Sequence, residues 1–273
     1  MTREQIKHIT NSHYQRLRKY SKLIPENFEG ETIHRFRVEY KKLRAFLRML
    51  SQSGQIEAKI KVSKNLKKVY RLAGSIRDLQ LQQQRVRNAA KDDPKKPRSY
   101  LHLLEKEINN IKPDLKAMVG NKMITESKKK TNATLPETFS LVDFRRSVQK
   151  KRKSIDAIIK AGDFSDNAIH AIRKDLKDLF YNLNTLYKIE HNLSQQTRWI
   201  GKEKPYYDRL LDELGKFQDS CASVALLKPR WLAKLNTRNQ ELLEELKKEW
   251  INEKSSRKKG LMQQLKTTLP GKI

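Results

Sequence analysis

Residues 33–50, IHRFRVEYKKLRAFLRML, decide the fold. Ile33, Phe36, Tyr40, Leu43, Leu47 and Leu50 recur at three- and four-residue steps, the period of an amphipathic helix. On the same helix His34, Arg37, Lys41, Arg44 and Arg48 fall within ~80° of one another at ~100° per residue. From His34 to Arg48 this row is ~21 Å long at ~1.5 Å per residue. One face therefore packs against neighbours while the adjacent face displays cations. Residues 169–187, IHAIRKDLKDLFYNLNTLY, repeat the device, with His170, Arg173 and Lys177 beside Ile169, Ile172, Leu176, Leu179, Leu183 and Leu186.

The chain has 273 residues, more than one typical core holds, so one or two domains are expected. Hydrophobic residues are 37%, which is lean but sufficient for helical bundles with narrow apolar seams. The net charge of +29 exceeds what solubility requires and points to a polyanionic partner: nucleic acid, an anionic membrane surface or a phosphate polymer. Cys221 is the only cysteine, which excludes an intramolecular disulfide and a cysteine-rich zinc site and suits a reducing, cytoplasmic setting. The first twenty residues lack the apolar core of a signal peptide, and no run of about 18 apolar residues is present to span a bilayer.

Helical spacing continues along most of the chain, and no run alternates like a strand. A first helix is expected over 3–24, ending at Pro25, with Glu31 or Thr32 capping the next. Residues 55–91 predict one or two helices. Their buried side is Val62, Leu66, Val69, Ala73 and Ile76, and their basic side is Lys64, Lys67, Lys68 and Arg71. Gly74 is placed to bend this segment or to allow close packing. The stretch 92–97, DDPKKP, reads as a loop, and 98–120 as a helix interrupted by Pro113. Residues 120–137 are aperiodic and polar, so a linker is placed at 126–137, between a first bundle over 1–125 and a second over 138–273. Further helices are expected over 138–161, 166–191 and 204–227, then a long segment after Pro229 and a partly ordered lysine-rich tail over 254–273. Trp199, Trp231 and Trp250 sit in apolar series and read as core or seam residues.

The halves look related. NFEGETIHRFR (27–37) aligns without gaps on DFSDNAIHAIR (163–173), at an offset of 136 from His34 to His170. The same offset brings Lys41 onto Lys177 and Arg16 onto Arg152. LAGSIRD (72–78) resembles ELGKFQD (213–219), at an offset of 141 from Gly74 to Gly215. Both blocks recur in the same order, which predicts an all-α protein of two tandem four-helix bundles built from long antiparallel helices by internal duplication.

A histidine on a helix is most often a surface or core-edge residue. Here two occupy equivalent places, each three residues before an arginine. With arginines as helical neighbours, a metal site is not expected. A phosphate ligand suits the set: arginine offers paired donors, lysine a mobile charge, histidine one or two N–H groups. Asp78 and Asp219 read as carboxylates that orient an arginine or cap a helix end rather than as acids or bases. No nucleophile–base arrangement and no glycine-rich phosphate loop is found.

The pattern His34-x-x-Arg37-x-x-x-Lys41-Lys42-x-Arg44, then Gly74-x-x-Arg77-Asp78, then His170-x-x-Arg173-x-x-x-Lys177 and Leu214-Gly215-x-x-x-Asp219, resembles the CHAD domain, the conserved histidine α-helical domain. The resemblance covers nearly the whole chain. It implies two four-helix bundles related by pseudo-twofold symmetry, a basic channel or surface that binds inorganic polyphosphate, and association with polyphosphate granules. By motif the ligand set is His34, Arg37, Lys41, Lys42, Arg44, His170, Arg173 and Lys177. Arg48, Lys64, Arg71, Arg77, Arg16 and Arg152 join it as basic residues of the same or neighbouring helices. Two departures mark the second half: Asp178 and Phe180 stand where basic residues usually follow, and Asn184 where a glutamate does. That half is expected to contribute fewer contacts, or to be completed from the basic helix at 145–153. No ExExK strand motif of an accompanying triphosphatase is present, so a stand-alone CHAD protein is expected.

The expected function is non-enzymatic binding of polyphosphate, with no cofactor and no metal. The alternative is an RNA- or DNA-binding helical protein using the same basic surface, for which aromatic or Asn/Gln readers would be wanted among the cations. A phosphate-cleaving enzyme has only isolated carboxylates to work with, and membrane-surface adsorption by the tail is generic.

Overall fold

A computed structural model describes residues 1–54, 59–91, 97–186 and 204–268. In chain order the helices are α1 (Arg3–Asn27), α2 (Gly30–Leu50), α3 (Lys64–Ala89), α4 (Arg98–Met118), α5 (Asn121–Asn132), α6 (Leu141–Lys160), α7 (Asp166–Leu186), α8 (Lys204–Leu226), α9 (Pro229–Leu232) and α10 (Thr237–Thr268). Among the described residues there is no strand, and one antiparallel bridge pairs Thr2 with Thr138. The chain divides into two compact units. One holds Met1–Asp143 and Leu226–Lys247, the other Phe144–Ala225 and Lys248–Ile273. Trp199, the end of the helix expected to 191, and residues 92–96 of the expected loop lie outside the described residues.

In the first unit, α1 starts from a capping box. The Thr2 hydroxyl accepts from the Gln5 N–H, and the Gln5 side chain accepts from the Thr2 N–H. Ile6, Tyr14, Leu17 and Ile24, all 1% exposed or less, form its buried stripe. The helix does not stop at Pro25 but continues to Asn27. A proline in the last turn removes one intrahelical bond near an end where carbonyls are already short of partners. The turn is made instead by Phe28, in the left-handed region at φ 53°. Its N–H donates to the Ile24 carbonyl, and its own carbonyl accepts from the Gln80 side chain of α3 at 2.8 Å.

α2 begins at Gly30, with Glu29 at its N-cap and no side-chain cap bond. Neither Glu31 nor Thr32 caps it, since the Thr32 hydroxyl donates backward to the Glu29 carboxylate at 2.8 Å. Ile33, Phe36, Tyr40, Leu43, Leu47 and Leu50 are buried as their spacing requires. α3 is a single helix capped by Ser63, so residues 59–63 precede it in non-helical chain. Leu66, Val69, Ala73 and Ile76 are fully buried on it, whereas Val62 lies before the helix and is only half-buried. α4 runs unbroken through Pro113. Pro113 is exposed there, so the Asn109 carbonyl it leaves unpaired faces solvent.

The linker expected at 126–137 is helical up to Asn132, as the end of α5, which packs on α1, and only residues 133–137 are non-helical chain. The buried face of α5 is apolar at Met123 and Ile124 and polar at Ser127 and Thr131. The Tyr14 hydroxyl meets the Thr131 and Ser127 hydroxyls at 2.7 and 3.0 Å, and the Ser63 N–H donates to Ser127 at 3.1 Å. The apolar residues occupy only the first turn and hydroxyls continue the buried side, so no hydrophobic period runs the length of the helix.

In the second unit, Ile155 of α6, Ile169 and Ile172 of α7, Leu210 and Leu214 of α8 and Leu265 of α10 share one buried cluster. Reciprocal bonds between Ser140 and Asp143 start α6. The segment after Pro229 forms only one short turn, with Pro229 in its first positions, and α10 follows from Thr237. The lysine-rich tail is therefore helical through Thr268, and its Leu261 and Leu265 are 3% and 0% exposed. Trp231 and Trp250 are buried. Among the described residues no helix is long and apolar enough to cross a membrane.

Candidate polyanion-binding site

The row on α2 lies along the seam with α3 in the first unit, and a glycine sets that seam. The Arg37 guanidinium lies directly on Gly74, where any side chain would overlap it. Arg37 also sits over the Tyr70 ring, 5.2 Å from its centroid, and 3.8 Å from the half-exposed Asp78 carboxylate. Tyr70 stacks on Tyr40 of α2 with centroids 4.1 Å apart and an 18° interplanar angle. The next arginine, Arg44, lies 5.7 Å from the Tyr40 centroid. Burial pushes the Tyr40 phenol up to about 12, so the ring stays neutral beneath its cations. Stacking on a ring face leaves a guanidinium its in-plane N–H donors for an anion.

α3 supplies a second row. Taking Gly74 as reference, Lys64, Lys67 and Arg71 fall within ~80° of it around the axis, on the side facing the Arg37 contact. All three are exposed. Lys41, Arg44 and Arg48 are partly exposed along α2. At the other end of the seam, Arg77 packs against Gly30, where a side chain would overlap its guanidinium, and its Nε is buried without a hydrogen-bond partner. His34 is exposed one turn into α2. Glu31 lies between them: its bond from Arg35 at 2.9 Å, then the charges of His34 and Arg77, hold its carboxyl below the usual range.

Two members of the expected set do not join this seam. Lys42 projects ~120° round α2 from the row. Arg16 of α1 lies on the opposite side of α2, where its Nε donates to Glu39 at 2.7 Å while His13 Nδ1 meets the same carboxylate at 2.6 Å. Burial pushes Glu39 up, but the bonds from His13 and Arg16 outweigh it and leave the carboxyl low. That cluster is an internal ion pair, which a sequence alignment of Arg16 on Arg152 does not reveal.

In the second unit, Arg173 approaches Gly215 as Arg37 approaches Gly74, but less closely, with a side chain there meeting Nη2 at 3.6 Å. Its Nε is buried without a partner. His170 Nδ1 is bonded to Gln218 Oε1 at 2.6 Å. Burial, reinforced by Arg173 and opposed by Asp219 and Asp212, brings the Lys177 amine down to about 8. Asp178 is buried and bonded by Lys151 at 3.0 Å, and Lys151 also reaches Asp175 at 2.5 Å. Phe180 is a core residue against Tyr207, with centroids 5.4 Å apart. Lys151, in the basic run 145–153, is thus committed inside its own unit, and Arg152 lies 4.0 Å from Asp156. Sequence reasoning listed Lys67 as basic but left it out of the ligand set, and it passed over the Tyr40–Tyr70 stack. The usable signal was the seven-residue step from Lys67 to Gly74. Among the described residues no group of three or more His, Cys, Asp or Glu side chains is placed to hold a metal ion.

An all-helical chain with a row of cations along one seam, set by an arginine lying on a glycine, is the class of protein the structure defines. The CHAD domain family model matches residues 8–228, and the chain belongs to that family. The crystal structure of the CHAD domain from the plant Ricinus communis is similar over 100% of this chain and 93% of that chain, with a TM-score of 0.76 at 17% identity, a likeness of fold. A comparison with the curated proteins finds no significant match.

Proposed function

We propose that the seam between α2 and α3 binds inorganic polyphosphate, as the CHAD resemblance implies, and performs no chemistry on it. The observation that carries the reading is the pairing of two cationic rows across a glycine-set contact. Arg37, Lys41, Arg44 and Arg48 come from α2, and Lys64, Lys67 and Arg71 from α3. A linear polyanion without bases needs closely spaced cations and no donor–acceptor code, and the aromatic rings at this seam lie buried or half-buried beneath arginines. Binding releases counterions and falls steeply with salt. In the cell, the protein sits in the cytoplasm with polyphosphate granules.

The test is binding to long-chain polyphosphate, tRNA and duplex DNA at matched charge across a salt series. Polyphosphate is expected to bind tightest at physiological salt, and the His34/Arg37/Lys41/Arg44→Ala variant to lose at least about tenfold with a shallower salt slope. Tighter binding of tRNA or DNA would overturn the reading in favour of nucleic acid. Orthophosphate release from polyphosphate would make the protein an enzyme.

A further inference from the structure

The α7/α8 seam repeats the geometry of α2/α3 but not its charge. Arg173 rests on Gly215 as Arg37 rests on Gly74. From each glycine, the same steps along the helix reach different residues. Ten, seven and three residues before Gly74 stand Lys64, Lys67 and Arg71, and the same steps before Gly215 reach Pro205, Asp208 and Asp212. Four residues after, both helices carry aspartate, Asp78 and Asp219. Asp208, Asp212 and Asp219 fall within ~40° around α8, on the side of Gly215. On α7, Lys177 keeps its place but Phe180 and Asn184 replace the cations at Arg44 and Arg48. At these matched positions the first seam thus sets seven cations against one carboxylate, and the second two against three. Asp212 is bonded by Lys216 at 2.8 Å on α8 itself and also acts on Lys177, so its charge belongs to a local balance.

We infer that Asp208 and Asp212 close the second seam to polyanions, so that ligand affinity resides in the first unit and these two carboxylates determine where the ligand goes. The inference rests on the polyanion reading above and supplies its selectivity. A carboxylate row beside a partly buried cation satisfies it internally and repels a chain of phosphates.

Reversal of the carboxylates tests this in the full chain. Both aspartates are exposed, so Asp208→Lys/Asp212→Arg and the isosteric Asp208→Asn/Asp212→Asn leave the core untouched. Polyphosphate binding by calorimetry is expected to tighten by about fivefold or more, or to gain a second equivalent, in the first variant and by about twofold in the second. Lys67→Asp/Arg71→Asp is expected to weaken it by at least about tenfold. Glu241→Lys/Glu244→Arg, on exposed α10 positions, controls for net charge alone. An unchanged affinity and stoichiometry in Asp208→Lys/Asp212→Arg, or an equal gain in the α10 control, overturns the inference. Wild-type preference for tRNA overturns the polyphosphate reading alone. The same variants then report the asymmetry with tRNA, by the same criteria.

Discussion

Gly74 is where one atom decides the site. Alanine is the better helix former by up to about 1 kcal/mol, so Gly74→Ala should not destabilise α3 if the flexible guanidinium gives way. It should instead displace Arg37 from its place over Tyr70. We expect unchanged or raised thermal stability with polyphosphate affinity down severalfold. Gly215→Ala meets Arg173 at ordinary contact distance and should gain stability without affecting binding. Equal effects of the two substitutions on affinity would count against the seam. Lys177 makes a separate residue-scale prediction. Its amine is down to about 8 when folded and returns to the ordinary 10.5 when unfolded. Between these values the unfolded chain holds more protons, so this group makes stability rise with pH from about 8 to 10.5. Lys177→Met should flatten that rise in denaturant titrations. The His34–Arg37 spacing was legible because it needs only one helix. The pairing of Arg16 with Glu39 was not, because it needs a second helix whose orientation spacing does not specify.

At the scale of elements, composition misled most where packing is polar. The buried side of α5 passes from Met123 and Ile124 to Ser127 and Thr131, whose hydroxyls meet Tyr14, and so short an apolar series looks like a linker in sequence. Pro25 reads as a stop and Pro113 as an interruption, yet one falls in a last turn and the other on an exposed face, where the lost bond costs least. The long periodic helices α2, α3 and α7 are legible because an apolar series recurs at three- and four-residue steps over several turns of each, even though Glu39, Gln82 and Asp178 are also buried on them. Asp178, an oddity in a basic motif, is explained by Lys151. Lys151→Met would remove the one amine that contacts both Asp175 and Asp178 in a mostly buried setting and is expected to cost about 3 kcal/mol. Replacing all three with apolar residues of similar size should recover most of that loss. A Lys151→Met protein as stable as wild type would show that the pair contributes nothing.

At the scale of the molecule, the +29 charge is not spread evenly over equivalent seams. Net charge was legible from composition, but its allocation between α3 and α8 required knowing which faces meet α2 and α7. The tail, expected to be partly ordered, is helical through Thr268 and carries Leu261 and Leu265 into a core. Leu265→Ala, at a fully buried position, should cost about 2–5 kcal/mol and lower the unfolding midpoint of the second unit, followed by calorimetry. A fall below about 0.5 kcal/mol would place Leu265 outside the core. Asp166, at the start of α7, is bonded by Lys254 at 2.5 Å and Lys258 at 3.1 Å of α10. The same dependence acts during synthesis. Helices α6, α7 and α8 leave the ribosome before α10, and at about 5–20 residues per second they wait seconds for Leu261 and Leu265. During that interval their apolar stripes are uncovered, so a nascent chain halted before α10 is the form of this protein most exposed to chaperones.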